Sequence, residues 1–316
     1  MNNYKIQAVI VTYNRKEMLV ECIENLFKQT YAVSSILVID NKSTDGTYEL
    51  LKQRGVLDKP CVKYKCLDKN IGGAGGFHSG MLETYEEGYD FAWIMDDDVF
   101  PEDDCLNNLV KAYDEIEKPV SFVASKVIGP KGEPMNIPAV DCTPDKNGYA
   151  NWMDYLEHGY IRIKSATFVS LLIPADAIGK FGLPIKDYFI WGDDTEYTTR
   201  LTTYYGKAYY VGSSVCIHNR ASARALSLYE EKDKNRLKNY YYHVRNSLIN
   251  SKLYDSKKKY HKNVSANVKS MMGVLVKKKH KECRFAKLRI LYRGTRDAVF
   301  GKYDVDEVEN RLKIRR

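Results

Sequence analysis

The stretch FAWIMDDDVFPEDD, residues 91 to 104, drives an apolar run into three adjacent carboxylates, Asp96, Asp97 and Asp98. Like charges this close repel, so the arrangement costs stability unless a cation or a positively charged partner offsets it. Alternate residues of an extended segment point the same way, which would make Asp96 and Asp98 a pair of oxygen ligands for a hard divalent ion such as Mn²⁺ or Mg²⁺. Such an ion commonly bridges to a diphosphate, and this pairs the acidic strand end with a nucleotide rather than a protein partner. Two structural readings stand beside it: a solvated acidic turn, and a helix start capped by the acidic run behind Pro101. The second accounts for Glu102, Asp103 and Asp104, but not for the three aspartates that precede Pro101.

Other segments carry chemistry-bearing residues. FIWGDDTEYTTR holds Asp193, Asp194 and Glu196. Acids enriched at a helix N-terminus explain this cluster structurally, and a helix start is also a rigid mount for a base. Asp40 ends the run SILVID ahead of the turn-rich NKSTDG, where it would cap the turn. NIGGAGGF brings Asn70, Gly72 and Gly73 together. Glycines let backbone approach a ligand closely, but the pattern is neither a dinucleotide fingerprint nor a P-loop, since no GK[ST] follows. His218, in VCIHNR, follows an apolar run and taken alone reads as a packed or surface histidine.

The elements around these residues alternate. IQAVIVTYN reads as a buried strand, and RKEMLVECIENLFKQT places Met18, Leu19, Cys22, Ile23, Leu26 and Phe27 at helical spacing. SSILVID, CVKYKCLD and YDFAWIMDDD supply further strands, separated by the short helix TYELLKQRG and by a glycine-rich loop that continues as a helix. Strand–helix alternation predicts an open, mainly parallel α/β sheet covered on both faces. Ligands collect at the carboxyl ends of strands in such sheets, and Asn14, Asp40, Asn70 and the acid triplet all fall there. Beyond residue 120, SFVASKVIG, SATFVSLLIP and KAYYVGSSVCIHN read as strands, with a Pro- and Gly-containing excursion over 130–160. From residue 226 the pattern turns helical, with Leu237, Tyr240, Tyr241, Val244 and Leu248 on one face. Two parts result, 1–225 and a helical extension over 226–316.

Composition narrows the class. A hydrophobic fraction of 44% and a charged fraction of 28% over 316 residues describe an ordinary globular chain, which excludes extensive disorder. The seven cysteines form no CxxC pair and no zinc-spaced cluster, so they read as reduced thiols of a cytoplasmic protein. No signal-like start and no apolar run of the ~18 residues needed to span a bilayer is present. The net charge of +8 divides into −5 over residues 1–256 and +13 over 257–316, so the basic balance belongs to the tail. Reading the whole chain as a nucleic-acid binder would mistake a local feature for a global one, and no nucleic-acid module is recognisable.

VIVTYNR, VIDNKSTDGT, the acid triplet and FIWGDDTEYTTR, in that order over roughly residues 6 to 220, together resemble the family 2 glycosyltransferases of the GT-A fold. The helix-opening NIGGAGGF, and an aromatic-plus-DDxE segment followed by a histidine about 24 residues on, are most similar to bacterial galactofuranosyltransferases, which use UDP-galactofuranose. The resemblance implies a Rossmann-like GT-A catalytic domain. It also implies a uridine site at Thr12, Tyr13, Arg15 and Asp40, where Asp40 would accept the uracil N–H, with Asn70, Gly72 and Gly73 beside the sugar nucleotide. Asp96 and Asp98 match the metal-binding acids, with Asp96 also at the nucleotide, Asp97 turned toward the ribose or sugar, and His218 completing the metal site. Imidazole suits Mn²⁺, which is therefore preferred over Mg²⁺. Asp194 matches the general base of inverting members, Asp193 and Glu196 would position acceptor hydroxyls, and Trp191 would stack on a sugar face. Gly192, standing between Trp191 and the acidic pair, departs from the galactofuranosyltransferase pattern.

The tail mixes Lys/Arg clusters with Met271, Met272, Val274, Leu275, Val276, Leu288, Ile290 and Leu291, the composition of basic amphipathic helices on an anionic membrane face. A solvated lysine-rich appendage is the alternative. The resulting expectation is a metal-dependent inverting transferase that moves galactofuranose from UDP to a lipid-linked glycan at the inner membrane face. A rhamnosyltransferase using dTDP-rhamnose is the nearest rival, and a non-catalytic glycan- or membrane-binding protein the rival of another class.

Overall fold

The computed structural model describes residues 2–220, 227–276 and 282–301. Its sheet begins as expected. β1 (Ile6–Thr12), β2 (Ser35–Asp40), β3 (Val62–Cys66) and β4 (Phe91–Asp96) run parallel in the order β3-β2-β1-β4. β1 and β2 are buried along their whole length, which is why they read as unbroken apolar runs rather than as alternations. Odd and even positions of β1 nevertheless serve different layers. Ala8 and Ile10 pack with α1 (Lys16–Phe27), α2 (Thr47–Gln53) and α4 (Cys105–Glu115), while Val9 and Val11 pack with α3 (Gly72–Glu86), α5 (Ala175–Phe181) and α6 (Asp193–Tyr204). In α1 the buried stripe is Leu19, Val20, Cys22, Ile23 and Leu26, and Phe27 is exposed.

Past β4 the sheet becomes mixed. β9 (Leu171–Pro174) pairs antiparallel with both β4 and β6 (Val120–Ile128), and β10 (Lys207–His218) pairs parallel with β6. β8 (Tyr160–Ser165) and β7 (Ala139–Val140) close that edge antiparallel. The expected strand SATFVSLLIP is split: Ser165 ends β8, and strand resumes over LLIP after the irregular residues 166–170, where Ser170 adopts a φ of +57°. That conformation is fixed by the Ser170 hydroxyl, which accepts from Trp93 Nε1 at 3.0 Å and pairs with Ser125 Oγ at 2.6 Å.

The glycine run does not open as a loop: α3 starts at Gly72 itself. A Cβ on Gly76 would sit 2.4 Å from Val11 Cγ1, and one on Gly80 would sit 2.3 Å from Val9 Cγ1, so these glycines let the helix lie directly on β1. Close tertiary approach here overrides the low helix propensity of glycine.

The C-terminal helices are α7 (Lys234–Leu237), α8 (Tyr240–Tyr254), α9 (Lys257–Val276) and α10 (Arg284–Phe300). Leu237, Tyr240, Val244 and Leu248 are buried as the helical spacing requires, although the stretch is broken between α7 and α8. The expected boundary at 225/226, the lysine cluster at 277–279 and the last basic residues from 302 lie outside the described residues.

Candidate active site

β1 leads to β2 on one side and is flanked by β4 on the other, so the strand order reverses between β1 and β4, the crevice where open α/β sheets bind ligands. Thr12 and Asp96 end these two strands. After Asp96 the chain turns through Asp97 and Asp98 into β5 (Val99–Pro101), whose Val99 pairs with His218 at the end of β10. This short antiparallel pairing carries His218 across more than a hundred residues of sequence to the acid turn. One ligand atom from each of Asp96, Asp98 and His218 lies within 4.8 Å of the others.

The electrostatics of this trio suit a cation. Asp98 Oδ1 is buried without a hydrogen bond of acceptable geometry, although His218 Nε2 stands 3.0 Å away. His218 Nδ1 lies 2.8 Å from Asn136 Oδ1, and Asn136 Nδ2 donates to Thr167 Oγ1 at 3.1 Å. With Asn136 Oδ1 as acceptor, Nδ1 is the donor and Nε2 is left facing the Asp98 oxygen, a position that a proton or a metal ion can occupy. A ring nitrogen and a carboxylate oxygen 3.0 Å apart need a proton or a metal ion between them, and a second partner holding the far ring nitrogen is the usual support of a metal-binding histidine. Burial, reinforced by Asp98 and Asp97, pushes the Asp96 carboxyl well above its usual range. Burial also pushes Asp98 up, but His218 and Arg15 outweigh it and hold that carboxyl below the usual range.

Asp97 is engaged differently. Its Oδ2 accepts from Thr12 Oγ1 at 2.7 Å and its Oδ1 from Arg15 Nη1 at 3.3 Å, while the same Arg15 nitrogen reaches Asp98 Oδ2 at 2.5 Å. Burial raises Asp97 to about 6 against the pull of Arg15 and Thr12. Asp97, expected to face the ribose or sugar, lines the cavity, while its two oxygens tie the ends of β1 and β4 together through Thr12 and Arg15.

Asp193 and Asp194 open α6 on the same cavity wall, along with Trp191. Asp194 Oδ1 accepts from Thr195 N at 2.6 Å, and burial raises its pKa despite these helix-start donors. Burial and the neighbouring Asp194 charge raise Asp193 to about 8. The cavity, ≈1920 Å³, also takes in Thr12, Tyr13, Arg15, Gly73, the acid triplet and His218.

Four expected site residues lie off this lining. Glu196 is fully buried, bridged to Arg200 at 2.8 Å and accepting from Tyr254 OH at 2.6 Å, so it anchors α6 instead of meeting an acceptor. Asp40 takes the turn-capping role, accepting from Ser43 N at 2.7 Å and from the Tyr64 hydroxyl. Asn70 Oδ1 accepts from Gly72 N at 2.8 Å at the start of α3. Gly72 is packed on Phe189, whose carbonyl oxygen a Cβ there would meet at 2.0 Å. Sequence reasoning also missed residues that do line the cavity: Asn41, Asn136 and Lys164, and from α8 His243, Asn250 and Tyr254. Asn136 sits in the irregular excursion over 130–160, where no periodicity marks it.

The Glycosyl transferase family 2 sequence model matches residues 7–164, half of the chain. Galactofuranosyltransferase GlfT1 of Mycolicibacterium smegmatis is 35% identical over 96 residues, 30% of either chain. A Methanococcus voltae protein, dolichyl N-acetyl-alpha-D-glucosaminyl phosphate 3-beta-D-2,3-diacetamido-2,3-dideoxy-beta-D-glucuronosyltransferase, is 26% identical over 62% of this chain and 61% of its own. The chain thus spans less than two thirds of the length of these curated relatives. Among solved structures, GalNAc-T7 with UDP, GalNAc and Mn²⁺ shares the fold at TM-score 0.61 and 14% identity, over 99% of this chain and 58% of that one. The mannosyltransferase PcManGT of Pyrobaculum calidifontis, in complex with GDP-Man and Mn²⁺, does so at TM-score 0.55 and 14% identity, over 96% and 89%.

Proposed function

Because the chain belongs to glycosyl transferase family 2, we propose that it is a metal-dependent, inverting hexosyltransferase that moves galactofuranose from UDP-galactofuranose to a glycan acceptor. The observation that carries this reading is the convergence of Asp96, Asp98 and His218 with Asp194 on one cavity at the topological switch point. Asp96, Asp98 and His218 would hold Mn²⁺, or Mg²⁺, and the bound ion would supply charge neutralisation for the departing nucleoside diphosphate. Asp194 takes the proton of an acceptor hydroxyl as its oxygen bonds to the anomeric carbon and the carbon–phosphate-oxygen bond breaks. Its raised pKa makes it a better base than an ordinary carboxylate, and with no protein nucleophile in the scheme the anomeric configuration inverts. The cavity exceeds the ~300–1,000 Å³ typical of a single-ligand pocket, which supports simultaneous donor and acceptor binding.

Galactofuranose is favoured over other hexoses by the partial similarity to GlfT1. For the acceptor, a lipid-linked glycan of surface-polysaccharide synthesis at the cytosolic membrane face accords with the tail. Val268, Met272, Leu275 and Val276 of α9 and Phe285, Tyr292 and Phe300 of α10 are exposed among lysines and arginines. No helix of the described residues is long and apolar enough to cross a membrane.

The test is incubation of the protein with Mn²⁺, a synthetic lipid-linked acceptor and a panel of sugar nucleotides, read by mass spectrometry. A galactofuranosyl product is expected. Product from dTDP-rhamnose alone would reassign the donor, and absence of product from every donor would leave a glycan- or membrane-binding protein.

A further inference from the structure

The turn that delivers Asp193 and Asp194 to the cavity is backbone-strained. Phe189, Trp191 and Gly192 have φ of +62°, +59° and +99°, two of them bulky aromatics in the left-handed region. Such conformations persist only where their surroundings over-determine them. Here the surroundings are mostly one helix. Arg245 Nη2 donates to Asp187 O at 2.6 Å, and Asn246 Nδ2 lies 3.0, 3.2 and 2.7 Å from the carbonyl oxygens of Tyr188, Ile190 and Trp191. Asn250 Nδ2 donates to Gly192 O at 2.8 Å, and Ala74 N at the start of α3 donates to Phe189 O at 3.1 Å. Every carbonyl from residue 187 to 192 is thus met by a donor from α8 or α3.

Asn246 is the centre of this arrangement. It is fully buried, its Oδ1 is held by Arg245 Nε at 2.9 Å, and its amide spans the strained residues. A Cβ on Gly192 would stand 3.0 Å from Asn246 Cβ, so the glycine that departs from the galactofuranosyltransferase pattern is required both by its φ and by the approach of α8. We propose that Asn246 is a positioning residue for glycosyl transfer: it templates the 187–192 turn that sets Asp194 in the cavity, which makes α8 part of the catalytic apparatus. This inference rests on the reading of Asp194 as the base.

The experiment compares wild type, Asn246→Ala and Asp194→Asn in steady-state transfer, in Mn²⁺ binding by calorimetry, and in ¹⁹F NMR of the 5-fluorotryptophan-labelled protein. In Asn246→Ala, kcat falls about 100-fold, the scale of a misplaced catalytic group, while donor KM and Mn²⁺ affinity stay within about twofold. The Trp191 resonance shifts or broadens and that of buried Trp93 does not. Unchanged kcat overturns the proposal, and so does a loss of kcat matched by equal losses of donor and Mn²⁺ binding with Trp93 displaced, which marks a purely structural role. If Asn246→Ala does not fold, Asn250→Ala, which loses the bond to Gly192 O, carries the same readouts. Activity retained in Asp194→Asn refutes the base itself, whereas an inactive Asp194→Asn beside an unimpaired Asn246→Ala refutes the positioning role alone.

Discussion

At the scale of single residues, Asn136 decides which face of His218 meets the acid turn. Replacing it with alanine frees the ring to carry its proton on either nitrogen, and loss of a partner of this kind typically costs ten- to 100-fold in metal affinity. Calorimetry on Asn136→Ala should show Mn²⁺ binding weakened by about that factor with unfolding temperature little changed, and equal affinity would dismiss the orientation argument. Asp193 makes a second prediction. Its folded-state pKa of about 8 stands above the unfolded value of about 3.9, so the unfolded chain releases this proton first as pH rises. Stability is therefore intact below about pH 4 and declines toward pH 8, and asparagine, a mimic of the protonated acid, escapes that decline. Scanning calorimetry of metal-free protein should find Asp193→Asn melting several degrees above wild type at pH 8.5 and together with it at pH 4. The acids were legible because three like charges ending an apolar run demand a partner, whereas Asn136 was not, because an uncharged residue in an irregular excursion leaves no pattern.

At the scale of elements, the strands announced themselves through continuous burial, and the helices α1 and α8 through their spacing. What misled was glycine. NIGGAGGF reads as a loop by propensity, yet β1 needs a helix with no side chains at 76 and 80, and that contact cannot be seen until the strand beneath is known. Gly80→Ala should accordingly destabilise the fold by about 1–3 kcal/mol, the cost of overpacking a filled core. Gly73, where a Cβ would meet nothing within 4 Å, should accept alanine without loss. A urea titration comparing the two substitutions checks both, and equal midpoints would mean that α3 does not rest on β1 as described. In the same way, Glu196 could be read as a ligand group from the motif, but its burial against Arg200 and Tyr254 depends on α8, an element the motif does not contain.

At the scale of the whole molecule, the division into a catalytic domain and a basic appendage understates their union. The helices after residue 226 wall the cavity through His243, Asn250 and Tyr254 and brace the turn before α6. Their outer surface exposes Met272, Val276, Phe285 and Phe300, and the sequence from 257 to 316 carries a net charge of +13. Sedimentation with vesicles should therefore recover the protein on anionic phosphatidylglycerol and not on neutral phosphatidylcholine, with binding weakened by salt as the charges are screened. Equal recovery on both would detach the basic surface from membrane binding. The central claim is that carboxylates and an imidazole from distant parts of the chain share one divalent ion beside a base. Its most direct test is transfer from UDP-galactofuranose, followed by NMR of the product anomer, in Mn²⁺ and after exhaustive chelation. The account predicts an inverted galactofuranoside in Mn²⁺, none after chelation and recovery on adding the metal back; undiminished product in the chelated protein would contradict it.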